Sequence, residues 1–165
     1  NVFGYPFKKP ILRSGAKLGD SIYVTGQLGK AKQGLNDWLN KKDSIYCNDY
    51  LRPKPQFQKA KEISGFATSC IDISDGLIKD LGDICKQSNV GAELCYENIP
   101  ILYDQKDLTH GDDYQLCFTA PSHLDDQLRS QGFFFIGKII QNLDLIVKKD
   151  GSEIIFEKNG WDPFE

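Results

Sequence analysis

The sequence predicts one α/β domain, in which a mixed β-sheet carries helices packed against it. Two patterns indicate this fold class: helical and strand-like segments alternate through the first part of the chain, and three strand-like segments close it. A chain of 165 residues, of which 40% are hydrophobic, is also long enough to form one substantial core.

The individual elements follow from apolar periodicity and from turn residues. Runs of β-branched and aromatic residues predict strands at 21–25, 70–74, 92–96, 114–119, 133–140, 143–148 and 153–157. Helical spacing of apolar residues predicts helices at 28–39, 56–67, 75–88 and 122–130. In the first helix, the face expected to be buried consists of Leu28, Ala31, Leu35, Trp38 and Leu39. Asp150-Gly151 predicts a hairpin between the last two strands.

Composition limits the classes of partner. The net charge of −3 and the pI near 5.4 argue against a nucleic-acid surface, which usually forms on a basic domain. Nothing in the sequence approaches the roughly 20 apolar residues of a membrane span. The five cysteines are widely spaced and form no Cys-x-x-Cys pair, which indicates reduced thiols. The sequence therefore predicts a cytoplasmic protein without nucleic-acid or membrane partners.

The segment 71–76, Ile-Asp-Ile-Ser-Asp-Gly, is the most informative motif. Alternation places Asp72 and Ser74 on one face of a strand, and Asp75 follows at the carboxyl end of this strand, where a helix begins. Two carboxylates suit a magnesium ion that is bound partly through phosphate oxygens, and the N–H groups of a helix start suit the phosphate itself. The alternative is that Ser74 or Asp75 only caps the helix. Asp72 favours the site, because a carboxylate within an apolar strand is costly unless it is paired or metal-bound.

Three other segments are weaker candidates. In 110–114, His-Gly-Asp-Asp-Tyr, adjacent carboxylates after a glycine could bind a cation or a donor-rich ligand, or form an ordinary polar turn. The glycine-rich basic segment 13–20 resembles a phosphate loop only loosely, and neither the P-loop nor the Rossmann fingerprint occurs in the chain. Trp161 could be a packing anchor or a stacking surface.

Taken in order, these segments resemble thiamine-monophosphate kinases, which are members of the aminoimidazole-ribonucleotide-synthetase-like superfamily. The resemblance rests on 13–20, Val24-Thr25-Gly26, Leu51-Arg52-Pro53, 71–77, 112–118 and Gly160-Trp161-Asp162 with Phe164. It implies the carboxy-terminal domain of an enzyme that transfers the γ-phosphoryl group of ATP to thiamine monophosphate with Mg²⁺. The residues implied are Asp72 and Asp75 for metal, Arg13 and Ser74 for ATP, and Asp112 and Trp161 for thiamine monophosphate. The chain has Asp112 where the family usually has glutamate.

The resemblance also implies what this chain lacks. The amino-terminal half of the family, with most of its metal-binding aspartates and its dimer-forming strands, has no counterpart in the sequence. We therefore expect residues 1–13 to be a connecting segment, residues 14–165 to be the carboxy-terminal domain, and the chain alone to be inactive. The complete protein would form a homodimer. The alternatives are the matching domain of a purine-pathway or selenophosphate synthetase, and a non-catalytic binding module.

Overall fold

Seven strands form one sheet in the computed structural model, which describes Tyr5 and residues 8–161. Their bounds are β1 Ser21–Val24, β2 Ser69–Asp72, β3 Gly91–Cys95, β4 Leu116–Ala120, β5 Phe134–Ile140, β6 Leu145–Lys149 and β7 Ser152–Glu153. The order across the sheet is β2-β4-β1-β5-β3-β6-β7. All neighbours are antiparallel except β3 and β6, so the predicted mixed sheet is confirmed.

Five α-helices lie within the described residues. Their bounds are α1 Lys30–Leu39, α2 Cys47–Leu51, α3 Phe57–Ile63, α4 Leu77–Ser88 and α5 Asp125–Ser130. Short 3-10 turns cover Arg13–Gly15, Tyr96–Asn98, Gln105–Leu108 and Ser122–Leu124. The sequence did not predict α2, and the predicted helix at 56–67 ends early, at Ile63. No helix in this part of the chain is long and apolar enough to cross a membrane.

Apolar side chains fill both faces of the sheet, because successive residues of a strand point to opposite sides. In β1, Ile22 and Val24 join the cluster that contains the apolar stripe of α4, whereas Tyr23 joins a second cluster on the other face. The second cluster is built from aromatic rings and from α3 and α5. Both faces of the sheet are therefore covered. The candidate site lies where the chain leaves β2, the strand at one edge of this sheet.

The predicted buried face of α1 is only partly correct. Leu28 and Ala31 are buried as predicted, but Trp38 and Leu39 are 52% and 62% exposed, and the helix buries Gly34 and Asp37 in their place. The reason is the backbone before α2: a Cβ built on Gly34 would lie only 2.0 Å from the carbonyl oxygen of Tyr46. The small side of the helix therefore packs against the chain, and the bulky side is left outside.

The predicted hairpin at Asp150-Gly151 is confirmed. Both residues have positive φ, 48° and 79°, and they join β6 to β7 in an antiparallel pair. Positive φ at both central positions matches the right-handed twist of the two strands. The strand after the turn has only two residues instead of the predicted five at 153–157.

Candidate functional site

The motif 71–76 leaves the sheet at the carboxyl end of β2. Ile71 and Ile73 are buried, whereas Asp72 is exposed and Ser74 is half-buried. The predicted alternation is therefore confirmed. The argument from the cost of burying Asp72 is wrong, since this carboxylate lies in solvent at the end of the strand.

The turn into α4 is held by Asp80, a residue that the sequence did not single out. One oxygen of its carboxylate, Oδ2, accepts hydrogen bonds from the N–H groups of Ser74, Asp75 and Gly76 at 2.9, 3.0 and 3.2 Å. Asp80 is only 3% exposed, and burial raises the pKa of this carboxyl while the three N–H donors lower it. Neither Ser74 nor Asp75 caps the helix by its side chain, and these three amides are not free for a phosphate.

The segment 109–115 packs directly onto this turn. Asp112 donates its N–H to the carbonyl oxygen of Ser74 at 3.0 Å, and Tyr114 donates to that of Ile73 at 2.9 Å. Gly111 permits the approach, because a Cβ there would lie 2.0 Å from the same Ser74 oxygen. Asp112 and Tyr114 both have positive φ, 67° and 48°. Aspartate adopts this conformation more readily than most residues do, whereas a bulky tyrosine rarely does, so the sequence suits the turn at Asp112 but not at Tyr114.

Trp161 joins the same cluster through its backbone. Its N–H donates to the carbonyl oxygen of Asp75 at 2.9 Å, and its own carbonyl accepts from the ammonium group of Lys79. The Lys79 ammonium also lies 3.1 Å from the Asp75 carboxylate. The Trp161 side chain is 61% exposed, which favours a stacking surface over a packing anchor.

The pKa of Tyr114 responds to the carboxylates of both predicted segments. Burial raises the pKa of its hydroxyl, and the charges of Asp112, Asp72 and Asp75 raise it further. The carboxylates of both segments are therefore close enough to one phenol to affect its pKa. The loops meet because β2 and β4 are neighbours in the sheet, so the end of one strand faces the beginning of the other.

The donor set can be tested against magnesium. Within residues 8–161 and Tyr5, no three His, Cys, Asp or Glu side chains are arranged to hold a metal ion by themselves. Mg²⁺ is typically bound through one or two carboxylates, with water and substrate phosphates as its other ligands. Asp72 and Asp75 fit that pattern, and they do not form an all-protein cage.

Arg13 lies apart from this cluster. Its carbonyl accepts a hydrogen bond from the Ser88 hydroxyl at 3.0 Å, and its guanidinium lies 3.7 Å from the carboxylate of Asp83. Both partners are in the second half of α4, whereas Ser74 precedes the beginning of that helix. Arg13 does share with Asp72 the lining of a cleft of about 620 Å³. Arg13 therefore lines the same cleft as the predicted metal ligand Asp72, but it lies at the other end of α4 from Ser74, the other predicted ATP contact.

Asp113 is turned away from the cluster although it follows Asp112 directly. Its carboxylate accepts hydrogen bonds from the N–H groups of Gly29 at 2.7 Å and Ala31 at 3.2 Å, at the start of α1. Burial raises its pKa to about 6. No local pattern could predict this contact, because the acceptor stands more than 80 residues after the helix that it caps. Asp162 and Phe164, which carried part of the sequence resemblance, lie outside the described residues.

Distant solved structures define the class of fold. Hydrogenase maturation protein HypE in complex with ATP has a TM-score of 0.74 and covers 93% of this chain and 54% of that chain. At 12% identity, this likeness concerns the fold alone. The seven-stranded sheet of the described residues and its helices therefore have the aminoimidazole-ribonucleotide-synthetase-like fold. No family model matches the chain.

Relatives of higher identity narrow the class to one family. Thiamine-monophosphate kinase of Escherichia coli K12 is 35% identical over 184 residues, which cover 96% of this chain and 57% of the relative. The enzyme from Stenotrophomonas maltophilia has a TM-score of 0.76 at 30% identity, covering 86% of this chain and 54% of that one. AaThiL complexed with AMPPCP and TMP has a TM-score of 0.79 at 30% identity, with 93% and 54% covered. The chain is a homologue of the carboxy-terminal half of thiamine-monophosphate kinases, and it spans 57% of the length of that curated relative.

Proposed function

We propose that this chain is the carboxy-terminal part of a thiamine-monophosphate kinase, and that the complete protein transfers the γ-phosphoryl group of ATP to thiamine monophosphate. One observation carries the proposal: the backbone contacts of Ser74 and Asp75 bring Asp112 and Trp161 to the start of α4. These four residues are among those to which the family resemblance assigns ligand contacts. Among the solved structures, the kinases are 30% identical to the chain, whereas the hydrogenase maturation proteins of the same fold are 12–15% identical, which favours the kinase over other members of the superfamily.

The proposed roles follow the placement of the side chains. Asp72 and Asp75 would hold magnesium, Ser74 and Arg13 would contact ATP, and Asp112 and Trp161 would contact thiamine monophosphate. The exposed ring of Trp161 can stack against a permanently cationic thiazolium. The carboxylate of Asp112 can accept a hydrogen bond from an aminopyrimidine.

Phosphoryl transfer depends mainly on positioning and on neutralising charge. Bound magnesium would supply charge neutralisation at the phosphate oxygens. The chain itself supplies carboxylates on two loops whose backbones are joined by hydrogen bonds, so their spacing is fixed before any ligand arrives. Lys79, 3.1 Å from Asp75, keeps the orientation of that carboxylate and offsets part of the repulsion among the acidic groups.

The remainder of the enzyme is part of the proposal. In this proposal, residues 14–165 form the carboxy-terminal domain and residues 1–13 connect it to an amino-terminal domain. The chain covers 57% of the length of a kinase from Escherichia coli, which is consistent with such a domain. That domain would supply further metal ligands and the contacts of a homodimer. The complete enzyme would act in the cytoplasm. The isolated chain is expected to bind substrate poorly and to show no turnover.

The decisive experiment measures thiamine diphosphate formed from ATP, Mg²⁺ and thiamine monophosphate. The chain alone should be inactive, and the chain extended upstream in its reading frame should be active. In the extended protein, Asp75→Asn should lower kcat/KM about a hundredfold or more, because a carboxylate that would hold magnesium beside the phosphates is lost.

The matched control is Asp126→Asn, the same change on an exposed side chain of α5, which should leave the rate unchanged. Turnover by the isolated chain would refute its proposed inactivity. An extended protein that folds but makes no thiamine diphosphate would overturn the kinase assignment, and competition by formylglycinamidine ribonucleotide would then point to a purine-pathway relative.

A further inference from the structure

Asp80 stands at the centre of the hydrogen bonds that build the candidate site. Its Oδ2 atom is the common acceptor for three consecutive N–H groups, those of Ser74, Asp75 and Gly76. Three consecutive amides that point at one anion form a backbone nest, a geometry that usually receives a phosphate. Here a carboxylate from within the chain fills it, and at 3% exposure it has little contact with solvent.

The segment that Asp80 holds is also the acceptor for the other two loops. The carbonyl of Ser74 receives the N–H of Asp112, and the carbonyl of Asp75 receives the N–H of Trp161. Asp80 is bonded to neither of these two donors. A displacement of the turn would therefore move one predicted metal ligand and both predicted substrate contacts together.

We propose that Asp80 is the positioning residue of this site: its buried carboxylate fixes the turn 74–76 and, through the carbonyl groups of Ser74 and Asp75, sets the places of Asp112 and Trp161. It does not touch substrate or metal in this role. The assignment of Asp75, Asp112 and Trp161 to ligands rests on the proposed function. The positioning itself is a property of the chain and is tested without any ligand.

The test measures backbone amide hydrogen exchange in the whole chain by NMR, comparing wild type with Asp80→Ala. Loss of the acceptor should expose the amides of Ser74, Asp75 and Gly76 directly. The amides of Asp112 and Trp161 should also exchange about tenfold faster or more, although neither is bonded to Asp80, because local opening of the turn releases their acceptors. Exchange in the central strand β1 should change far less.

The matched control is Asp37→Ala. Asp37 is a carboxylate that is 5% exposed in α1, where it accepts a hydrogen bond from Gln33 at 2.9 Å, and it has no role in the proposed site. This variant should lower stability without selective acceleration at Asp112 and Trp161. Exchange at those two amides that is no faster in Asp80→Ala than in Asp37→Ala would overturn the proposal and leave Asp80 a local helix-stabilising residue.

Asp80→Asn keeps the test decisive if the alanine variant does not fold. The amide retains one acceptor oxygen but loses the charge, so exchange at Asp112 and Trp161 should fall between wild type and alanine. In the extended enzyme, the same variant should raise the Mg²⁺ concentration for half-maximal rate and the KM for thiamine monophosphate. Selective exchange in the chain, together with an extended protein that folds but shows no kinase activity, would refute the proposed function and support the positioning role.

Discussion

Asp112 and Asp113 are adjacent carboxylates with opposite tasks. Asp112 lies beside Tyr114 in the candidate site, whereas Asp113 accepts hydrogen bonds from the first amides of α1. The pair therefore joins the site loop to a helix that carries none of the predicted ligands. A substitution at Asp113 should alter the folding of this connection rather than the chemistry of ligand binding.

The raised pKa of Asp113 predicts a pH-dependent contribution to stability. The folded-state pKa of about 6 exceeds the ordinary value of 3.8, mainly because the carboxyl is buried. The folded protein therefore binds this proton more tightly than the unfolded chain, so the contribution is complete at about pH 4 and is lost as the pH rises through about 6. Asp113→Asn should remove this dependence.

Urea unfolding at several pH values measures this effect. The free energy of unfolding of wild type minus that of Asp113→Asn should fall between about pH 4 and pH 7. Asp126→Asn, an exposed carboxylate in α5, should give a difference that changes much less over the same range. A difference for Asp113→Asn that rises with pH would contradict the direction of the pKa shift.

At the scale of elements, α1 is tied to the segment 102–108 by a buried ion pair. The Asp107 carboxylate is fully buried, and it accepts hydrogen bonds from the N–H groups of Leu102, Tyr103 and Asp104. Its other oxygen lies 2.8 Å from the ammonium group of Lys32 in α1. The carboxylate thus organises one loop and anchors a helix to it.

Lys32→Gln should lower the free energy of unfolding by about 1–3 kcal/mol, because it leaves the buried charge of Asp107 without its cation. Lys42→Gln is the matched control: Lys42 also pairs with a buried aspartate, at 3.4 Å, but its side chain is 65% exposed, so the loss should stay below about 1 kcal/mol. Urea unfolding at pH 7 separates the two. Equal losses would show that the burial of the Lys32 pair contributes nothing.

Elements with strong local patterns could be predicted from the sequence, and those set by tertiary contacts could not. The apolar stripe of α4 and the Asp150-Gly151 turn are such local patterns. The burial of Trp38 and Leu39 in α1 was wrongly predicted because packing at Gly34 depends on the carbonyl of Tyr46, which the helix pattern does not contain.

The same distinction applies to the candidate site. Asp72 and Asp75 could be recognised because a strand end and a helix start meet in their motif. Asp80 could not, since an acidic residue in the first turn of a helix is ordinary there and nothing local reveals its three amide donors. Tyr114 stood in the quoted motif, but only the folded chain shows that carboxylates of both segments raise the pKa of its hydroxyl.

At the scale of the whole molecule, stability depends on two cores, one on each face of the sheet. Phe118 lies at the centre of the second core and is fully buried. Its ring stacks on Tyr23 with 5.3 Å between the ring centroids and meets Phe133 edge-on at 5.2 Å. Removing this ring should therefore weaken contacts between strands and helices at once.

Phe118→Ala should lower the free energy of unfolding by about 3–5 kcal/mol, through lost burial and the cavity left behind. Phe134→Ala removes the same side chain where it is 43% exposed and should cost distinctly less. Thermal or urea unfolding monitored by circular dichroism gives both values. Comparable losses at the two positions would mean that the second core is loosely packed.

The position of β1 inside the sheet, between β4 and β5, has a consequence for synthesis on the ribosome. This strand pairs with 117–120 on one side and with 134–138 on the other, so its first neighbour is translated more than 90 residues after it. Such distant pairing slows folding, and until then an apolar strand remains without hydrogen-bonding neighbours in the nascent chain. Strand β2, which ends at Asp72, faces a shorter delay: among the described strands it pairs with β4, whose first residue is translated 44 residues after Asp72. Nascent chains that stall before residue 116 therefore carry β1 and β2 unpaired, with apolar strand residues exposed to aggregation.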